Sequence, residues 1–254
     1  MNVKHIIRVE DPVPEYPEQL TEFLEISEFY YDTIQGEDIT AGTPAAFLRL
    51  KNCTLNCSYC DTRKVWLRGG KYSFATLFKM IDSTDLVTKL SRGQHLVLTG
   101  GSPLMQQTEL VAFFLHFQSR YGFKPYLECE NECTIYPGGS FTYMIDCWNN
   151  SPKLSNSSIK RDRRYKSHII EMLAILPNSW FKFVVKSEVD WLEIMEDYIS
   201  TRLVSRSQII LMPQGATRDK LMWNSTITVK IAVNENVRFC SREQVMLWNK
   251  QTGI

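Results

Sequence analysis

The sequence predicts an α/β protein with a mainly parallel sheet that closes partly into a TIM-like barrel. Short, almost continuously apolar segments alternate along the chain with segments whose apolar residues follow a helical period. A length of 254 residues is sufficient for one large domain of this kind. We therefore expect one main domain over residues 26–254, preceded by a proline-containing N-terminal extension over residues 1–25.

The individual elements follow from these two patterns. Apolar runs predict strands over residues 26–35, 45–50, 95–101, 126–130, 141–148, 180–185 and 208–215. Helical spacing predicts helices over residues 73–90, 108–120, 167–176 and 188–203, and an amphipathic segment over residues 239–249. Ser73 is suited to cap the first helix, because its hydroxyl can accept a hydrogen bond from a free backbone N–H.

Composition excludes several classes of protein. The formal net charge is only +1, so no general basic field favours nucleic-acid binding, and we interpret the basic run at residues 160–164 as a solvated face. Seven cysteines, three of them grouped, do not suggest a disulfide framework, and we expect a reducing, cytoplasmic setting. The sequence shows neither a signal peptide nor an apolar stretch long enough to span a membrane, so we expect no membrane association.

Three cysteines carry the strongest chemical signal in the chain. Cys53, Cys57 and Cys60 are spaced C-x3-C-x2-C and directly follow the predicted strand at residues 45–50. Thiolates select soft metals, namely zinc, copper(I) and iron–sulfur clusters. A structural zinc ion needs four ligands, whereas three grouped thiols suit a cluster that keeps one iron open for another ligand. Two alternatives remain: a zinc site completed by Cys129 or Cys133, and three buried structural cysteines.

Other strand ends carry residues suited to a ligand. Gly36 lies between Gln35 and Glu37, and a glycine allows the backbone to approach a ligand closely, although a simple turn explains the segment equally well. Thr99 and Gly101 lie where a parallel sheet forms its ligand sites, at the carboxyl end of a strand. Arg49 is a charge within an apolar strand, so we expect it to pair with a carboxylate of the protein or of a ligand.

Several separated segments together resemble the 7-carboxy-7-deazaguanine synthases, a family of radical S-adenosylmethionine enzymes. The resemblance covers residues 26–254 and depends on segments that occur in the same order: Thr33-Ile34-Gln35-Gly36-Glu37, Phe47-Leu48-Arg49, Cys60-Asp61-Thr62, Leu98-Thr99-Gly100-Gly101-Ser102-Pro103, Ser151-Pro152-Lys153, Lys182-Phe183-Val184-Val185, Leu211-Met212-Pro213-Gln214-Gly215 and Arg242-Glu243-Gln244-Val245. The cysteine spacing alone indicates only the superfamily. The Gln-Gly-Glu, Cys-Asp-Thr and Ser-Pro-Lys segments together indicate the synthase.

The resemblance implies a fold, a reaction and a set of cofactors. It implies a partial barrel of the radical S-adenosylmethionine type and a lyase that converts 6-carboxy-5,6,7,8-tetrahydropterin to 7-carboxy-7-deazaguanine with loss of ammonia. A 4Fe-4S cluster held by three cysteines would bind S-adenosylmethionine, whose reductive cleavage gives a 5′-deoxyadenosyl radical, and the S-adenosylmethionine is regenerated. It further implies Mg2+, a homodimer, a flavodoxin- or ferredoxin-like electron donor, and a role in queuosine or preQ0-type biosynthesis.

The same resemblance implies roles for particular residues. Cys53, Cys57 and Cys60 match the cluster ligands, and Thr62 matches the magnesium ligand. The residues that match positions lining S-adenosylmethionine are Tyr59, Asp61, Gly101, Ser151, Pro152, Lys153, Met212, Pro213 and Gln214. The residues that match contacts to the pterin are Ile34, Gln35, Gly36, Arg49 and Thr99, together with the carboxylate of Ile254.

Two departures from the family pattern bear on the site. Ser102 stands where the family usually has the glutamate of Gly-Gly-Glu-Pro, and a serine cannot offer a carboxylate to the ammonium group of the cofactor. We expect either that Glu128 or Glu130 replaces that carboxylate or that the cofactor binds less tightly. Cys133 stands where the family's Glu-Thr-Asn-Gly-Thr segment has glycine, and we expect a changed turn there.

Three functions therefore remain open at the level of sequence. The first is the synthase, supported by the ordered segments. The second is another radical S-adenosylmethionine enzyme with a different substrate, such as a protein-activating enzyme or another lyase. The third is a non-catalytic metal-binding relative, for which Ser102 is the main support.

Overall fold

The chain forms one mixed sheet of ten strands in the computed structural model, which describes residues 3–14, 22–249 and 251. The strands are β1 (Lys4–Ile7), β2 (Phe23–Ile34), β3 (Pro44–Leu50), β4 (Gly70–Ser73), β5 (His95–Gly100), β6 (Leu127–Asn131), β7 (Cys147–Asn150), β8 (Ser179–Val185), β9 (Ile209–Pro213) and β10 (Arg238–Phe239). Their order in the sheet is β1-β2-β3-β5-β6-β7-β8-β9-β10, and β4 pairs with β2.

Seven neighbouring strands run parallel, from β3 to β10 without β4. Strands β1, β3 and β4 pair antiparallel with β2 at the other end of the sheet. No pairing joins β1 to β10 within the part of the chain that the structure describes, so the sheet stays open there. The predicted α/β fold with a partial barrel is therefore confirmed.

Helices connect the parallel strands, as a parallel sheet requires. They are α1 (Arg63–Trp66), α2 (Phe74–Asp82), α3 (Leu86–Ser91), α4 (Gln107–Tyr121), α5 (Gly139–Met144), α6 (Arg161–Arg164), α7 (Ser167–Ala174), α8 (Glu188–Ile194), α9 (Arg218–Glu235) and α10 (Glu243–Trp248). The Phe74, Phe78 and Phe113 rings of α2 and α4 pack together in the core, with the Phe74 and Phe78 ring centroids 5.3 and 5.0 Å from that of Phe113. No helix of residues 3–14, 22–249 and 251 is long and apolar enough to span a bilayer.

Several predicted elements differ in extent. Ser73 caps α2, as predicted, through a hydrogen bond from the Thr76 N–H to its Oγ. The predicted helix at residues 73–90 is nevertheless broken into α2 and α3. The hydroxyls of Ser83 and Thr84 donate to the carbonyls of Met80 and Ile81, and such local bonds compete with helix continuation.

Two predicted elements were wrong in type or length. The predicted strand at residues 141–148 is divided between α5 and β7, because its apolar run does not face the core continuously: Tyr143 is 92% exposed. The predicted helix at residues 188–203 ends as α8 followed by a π-helical turn at Met195–Ile199. In addition, α9 was not predicted at all.

Two further predictions from the sequence concern the N-terminal extension and the basic run at residues 160–164. Lys4–Ile7 pair with β2, so part of the predicted extension contributes to the main sheet, and the division of the chain at residue 25 stays a prediction. The interpretation of residues 160–164 as a solvated face was wrong for Arg164. Its side chain is buried and donates to the Lys153 carbonyl at 3.0 Å and the Glu193 carboxylate at 2.7 Å.

Candidate active site

The cysteine loop leaves the carboxyl end of β3 and returns to it through α1. Asn52 opens the loop with φ +67°, and its N–H donates to the Trp66 carbonyl. Within the loop, the Cys60 N–H donates to the Cys57 carbonyl at 3.2 Å, which forms a tight turn. This compact loop directs Cys53, Cys57 and Cys60 toward one pocket of about 780 Å³.

The three thiols have surroundings suited to metal ligands. The backbone N–H of Leu55 donates to Cys53 Sγ at 3.4 Å, and the Trp66 indole N–H donates to Cys60 Sγ at 3.5 Å. Burial, followed by the nearby Glu132 carboxylate, raises the pKa of Cys53 to about 12, and burial also raises the pKa of Cys57. Without a bound cation these two thiols are neutral at physiological pH, whereas a coordinated thiol loses its proton.

The donor set fits a cluster better than a zinc ion. In residues 3–14, 22–249 and 251, no three Cys, His, Asp or Glu side chains are gathered closely enough to bind one metal ion. Cys129 and Cys133, the two candidates for a fourth zinc ligand, are fully buried outside the pocket, and burial raises their pKa well above the ordinary range. Thiolates of a 4Fe-4S cluster bind separate irons, so they need to share a cavity without converging on one point.

Two glycines allow the end of β5 to approach the cysteine loop. A Cβ atom on Gly101 would lie 1.7 Å from the Asn52 carbonyl oxygen, and Gly100 takes φ +127°, a conformation that favours glycine. The next residue, Ser102, donates its N–H to the same Asn52 carbonyl at 2.9 Å. Larger residues at either glycine would therefore push the loop out of position.

Residues matched to S-adenosylmethionine surround the thiols on the side of β6, β7 and β9. Lys153 Nζ donates to the Ser151 carbonyl and Oγ at 2.7 and 2.8 Å. The residues of this set that line the pocket are Tyr59, Asp61, Gly101, Ser151, Lys153, Met212, Pro213 and Gln214. Pro152 is buried and does not line it. Thr62, the residue matched to magnesium, lines the pocket as the residue that precedes α1.

Residues matched to the pterin lie across the pocket, at the ends of β2, β3 and β5. The residues of this set that line the pocket are Ile34, Gln35, Gly36, Arg49 and Thr99, whereas Ile254 lies outside the described residues. Gln35 Nε2 and Thr99 Oγ1 donate to the two oxygens of Glu130, at 3.2 and 2.6 Å. Glu130 therefore links β2, β5 and β6 on this side.

Arg49 pairs with a carboxylate of the protein, which is one of the two alternatives expected from the sequence. Its Nε donates to Glu28 at 3.0 Å, and its Nη2 lies 3.4 Å from the Tyr30 hydroxyl. Both Arg49 and Glu28 are nearly inaccessible to solvent. Since a guanidinium carries five N–H donors, further donors remain for a ligand in the pocket.

An ion-pair network that was not predicted from the sequence lies beside the residues matched to the pterin. We call Glu37, Asp38, Lys182 and Arg242 the entrance network. Lys182 on β8 donates to Glu37 at 2.6 Å and to Asp38 at 2.7 Å. Arg242, just before α10, donates to Glu37 at 2.8 Å, to the Gly215 carbonyl at 2.8 Å and to Asp61 at 2.6 Å. Glu37, Lys182 and Arg242 all belong to the ordered segments that carry the family resemblance. The sequence therefore indicated that these residues matter, but it did not indicate that they pair with one another.

The two departures from the family pattern have different outcomes. Glu128 cannot take the place of the missing carboxylate, because it is buried outside the pocket and bonded to Thr40, His95 and Asn149. Glu130 lines the pocket, but its two oxygens accept from Gln35 and Thr99. The carboxylate beside Ser102 belongs to Glu132 instead, whose Oε1 accepts from Ser102 Oγ at 2.5 Å.

Cys133 adopts the backbone conformation that glycine favours. Its φ is +64°, and its N–H donates to Asn131 Oδ1 at 2.8 Å, so this buried cysteine occupies a left-handed conformation instead of avoiding it. A left-handed conformation costs an ordinary residue roughly 1–2 kcal/mol.

Comparisons with known proteins agree with this geometry. Residues 36–131 match the family model described as "4Fe-4S single cluster domain". The chain is 28% identical to 7-carboxy-7-deazaguanine synthase of Pyrobaculum aerophilum, with 88% of this chain and 94% of that protein aligned. It is also 28% identical to the synthase of Halobacterium salinarum, with 89% and 91% aligned.

A solved structure shares the fold. The crystal structure of QueE from Escherichia coli aligns with a TM-score of 0.61 and 19% identity over 87% of this chain and 94% of that chain. The resemblance predicted from the ordered segments is therefore confirmed over most of the chain, and so is the prediction of an enzyme. The family model supports the predicted iron–sulfur cluster.

Proposed function

We propose that this chain, which resembles 7-carboxy-7-deazaguanine synthases over most of its length, is itself such a synthase. In this proposal it converts 6-carboxy-5,6,7,8-tetrahydropterin to 7-carboxy-7-deazaguanine and ammonia, as a step of 7-deazapurine biosynthesis. Substrate and product differ by one ammonia, so the net reaction needs no oxidant or reductant. The proposal rests on one observation: residues from distant segments, matched separately to cluster, cofactor and substrate, line one pocket.

The cysteine side of the pocket suits the cofactors. Cys53, Cys57 and Cys60 would hold the 4Fe-4S cluster, which with S-adenosylmethionine supplies the radical that starts the reaction. The protein contributes orientation and a cavity that shields the reacting groups from water. Buried walls support that role, because Leu55 and Trp66 line the pocket beside the thiols and are themselves buried.

The opposite side suits a carboxylated bicyclic heterocycle. Arg49 is charged and its side chain is only 12% exposed. A guanidinium pairs bidentately with a carboxylate, so its remaining N–H donors bind the substrate carboxylate in this proposal. The oxygens of Glu130 each have a further lone pair that can accept N–H groups of the pterin ring. Tyr30 and Phe47, stacked with centroids 5.3 Å apart, supply an aromatic wall.

The proposal also includes finer features. Thr62 contributes a hydroxyl to Mg2+, which prefers oxygen ligands and keeps several waters, so the substrate carboxylate can complete its shell. The enzyme acts as a homodimer in the cytoplasm, receives electrons from a flavodoxin- or ferredoxin-like donor, and uses residues 26–254 as its catalytic domain. Seven free thiols support a reducing setting.

The direct test is anaerobic turnover. The chain is purified, reconstituted with iron and sulfide, reduced, and given S-adenosylmethionine, Mg2+ and 6-carboxytetrahydropterin, and the products are measured by mass spectrometry. We expect 7-carboxy-7-deazaguanine and ammonia in equal amounts. An intact cluster that cleaves S-adenosylmethionine without forming the deazaguanine would overturn the substrate assignment.

Ser102 favours a second candidate, a related radical enzyme with a different substrate. The serine removes a carboxylate that the family usually supplies at this position, and such a change is compatible with altered chemistry. The same assay separates the two, since the second candidate predicts S-adenosylmethionine cleavage with no consumption of the pterin.

A further inference from the structure

Glu132 is a buried carboxylate with one oxygen fully used and the other free. It follows β6 and is only 6% exposed, yet it lines the pocket beside Cys53. Its Oε1 accepts hydrogen bonds from three hydroxyls: Ser102 at 2.5 Å, Thr54 at 2.7 Å and Thr134 at 2.6 Å. Its Oε2 is buried and has no hydrogen-bond partner. An unsatisfied buried carboxylate oxygen is costly, so this oxygen is suited to a ligand.

Glu132 also lacks a countercharge. No lysine, arginine or histidine of the described part of the chain lies within ion-pair distance of it. Glu130, two residues earlier, also forms no ion pair with the described residues, but both of its oxygens accept a hydrogen bond. Glu132 is therefore a fixed, buried carboxylate without an ion-pair partner at the wall of the cofactor side.

A matching positive charge lies on the same side. Lys153 lines the pocket, and its ammonium forms no ion pair with any residue that the structure describes. Both charges are close enough to the thiols to influence them: Glu132 raises and Lys153 lowers the pKa of Cys53, after the larger effect of burial. An unpaired anion and an unpaired cation beside the cysteine trio complement a zwitterion, such as the ammonium and carboxylate groups of an amino acid.

We propose that Glu132 binds the α-ammonium group of the methionine moiety of S-adenosylmethionine, and that Ser102, Thr54 and Thr134 hold its carboxylate in position. This inference rests on the proposed function, because it takes S-adenosylmethionine as the ligand. The carboxylate thus comes from the segment after β6, whereas the family pattern places it after β5. The two positions exclude each other, because a glutamate in place of Ser102 would bring a second negative charge against Glu132.

The test compares binding of two ligands to the cluster-loaded protein, measured anaerobically by equilibrium dialysis. One ligand is S-adenosylmethionine, and the other is its desamino analogue, which lacks the α-ammonium group. The variant is Glu132→Gln, which keeps the size and an oxygen for the three hydroxyls but removes the charge. We expect about 10- to 100-fold weaker binding of S-adenosylmethionine and less than about twofold change for the analogue.

A carboxylate with a purely structural role gives a different result. In that case Glu132→Gln would weaken both ligands equally, or neither, and each of these outcomes would overturn the inference. The double variant Ser102→Glu with Glu132→Gln moves the charge back to the position of the family pattern. We expect it to recover most of the lost affinity for S-adenosylmethionine, and failure to recover any would count against a shared ammonium site.

A further variant covers the case in which Glu132→Gln does not retain the cluster. Ser102→Ala removes one hydroxyl from Oε1 and leaves the charge in place, so we expect a loss of about three- to tenfold for S-adenosylmethionine alone. Equal losses for both ligands, or no loss, would again overturn the inference. These measurements need neither pterin nor product. A lack of deazaguanine with intact selective binding would therefore refute the proposed substrate only, whereas wild-type protein that does not bind S-adenosylmethionine would refute both proposals.

Discussion

The two sides of the pocket treat charge in opposite ways. At the entrance beside the predicted pterin residues, Glu37, Asp38, Lys182 and Arg242 neutralise one another through contacts of 2.6–2.8 Å. On the cysteine side, the Glu132 carboxylate and the Lys153 ammonium form no ion pair with the described residues, and Cys57 is buried while Cys53 and Cys60 are half-buried. The charged groups of the entrance network are therefore paired within the protein, whereas the charged groups on the cysteine side have no ion-pair partner among the described residues.

This difference indicates which side depends on its ligands. Buried charges are stable only when they are paired, so the entrance network fixes the protein's own geometry. Unpaired groups on the cysteine side are retained at a cost that a bound metal and cofactor can offset. Arg242 connects the two, because it contacts Glu37 at the entrance and Asp61 in the cysteine loop. We therefore expect substitutions on the cysteine side to affect cluster binding and substitutions in the entrance network to affect stability.

The largest effect is expected on the cysteine side. Cys57→Ala removes one of three proposed cluster ligands, and we expect complete loss of the visible iron–sulfur absorbance and of activity, with the fold retained. The fold is retained because the thiol makes no ion pair, and a change from cysteine to alanine removes only one sulfur atom. Circular dichroism checks the fold, and iron and sulfide analysis checks the cluster.

A matched thiol serves as the control for that variant. Cys147 on β7 is also buried, but it lies outside the pocket. We expect Cys147→Ala to retain the cluster in full. Iron–sulfur absorbance that survives Cys57→Ala would contradict the ligand assignment, and with it the view that this side is built for a metal.

The next effect is expected at the entrance, on stability. Lys182→Met leaves the carboxylates of Glu37 and Asp38 without their shared cation in a buried site. Breaking a buried pair in this way costs about 3–5 kcal/mol, so we expect the free energy of unfolding to fall by that amount. Urea denaturation of the cluster-free protein measures it without interference from the metal.

The control again uses a lysine with two carboxylate partners. Lys4 contacts Asp32 and Asp85, but it is on the surface, where ion pairs contribute little. We expect Lys4→Met to leave the denaturation curve unchanged within error. Equal effects of the two substitutions would contradict this prediction, because the buried entrance network would then contribute no more to stability than an ordinary surface ion pair.

The sequence was sufficient for those parts of the site that local pattern determines. The cysteine spacing, the Gly100-Gly101 pair and the Ser73 cap depend on neighbouring residues, and the structure has each of them in the expected element. By contrast, α9 contains a β-branched run at residues 226–229 and has no continuous apolar face, since only Leu221, Thr228, Ile231 and Ala232 are buried. Its helical form depends on packing against the sheet, which no local pattern contains.

Pairing between residues that are distant in the chain was the second feature that could not be predicted from the sequence. Lys182 and Asp38 are 144 positions apart, and Arg242 and Glu37 are 205 positions apart. The expectation that Glu128 or Glu130 replaces the missing carboxylate overlooked Glu132 for a related reason. Glu128 and Glu130 are two positions apart and lie on the same face of β6, so the sequence alone does not show which carboxylate comes beside Ser102. In the structure Glu128 bonds to Thr40, His95 and Asn149 outside the pocket, whereas Glu132, in the turn with Cys133 at φ +64°, accepts from Ser102.

The smallest expected effect concerns pH and the entrance network. Burial raises the pKa of Asp38 to about 7, against the attraction of Lys182, and its Oδ1 is buried without a hydrogen-bond partner. Although burial acts in the opposite direction, Lys182 and Arg242 hold the pKa of Glu37 well below its usual range. An acid whose pKa is higher in the folded state than its unfolded value of 3.8 binds its proton more strongly when folded. Its contribution to stability is therefore complete at low pH and is lost as pH rises toward 7.

Asp38→Asn tests this sign directly, because asparagine has the same shape and does not titrate. We expect the free energy of unfolding of the wild type, minus that of the variant, to fall between pH 5 and pH 7 by at most about 1.4 kcal/mol per pH unit. Restricting the measurement to pH 5 and above keeps it clear of the titration of Glu37, whose opposite contribution is lost only at lower pH. A difference that stays constant or increases with pH would mean that Asp38 is a fully ionised partner of Lys182. In that case the entrance network would consist of ionised groups only, and Asp38 would carry no proton in this pH range.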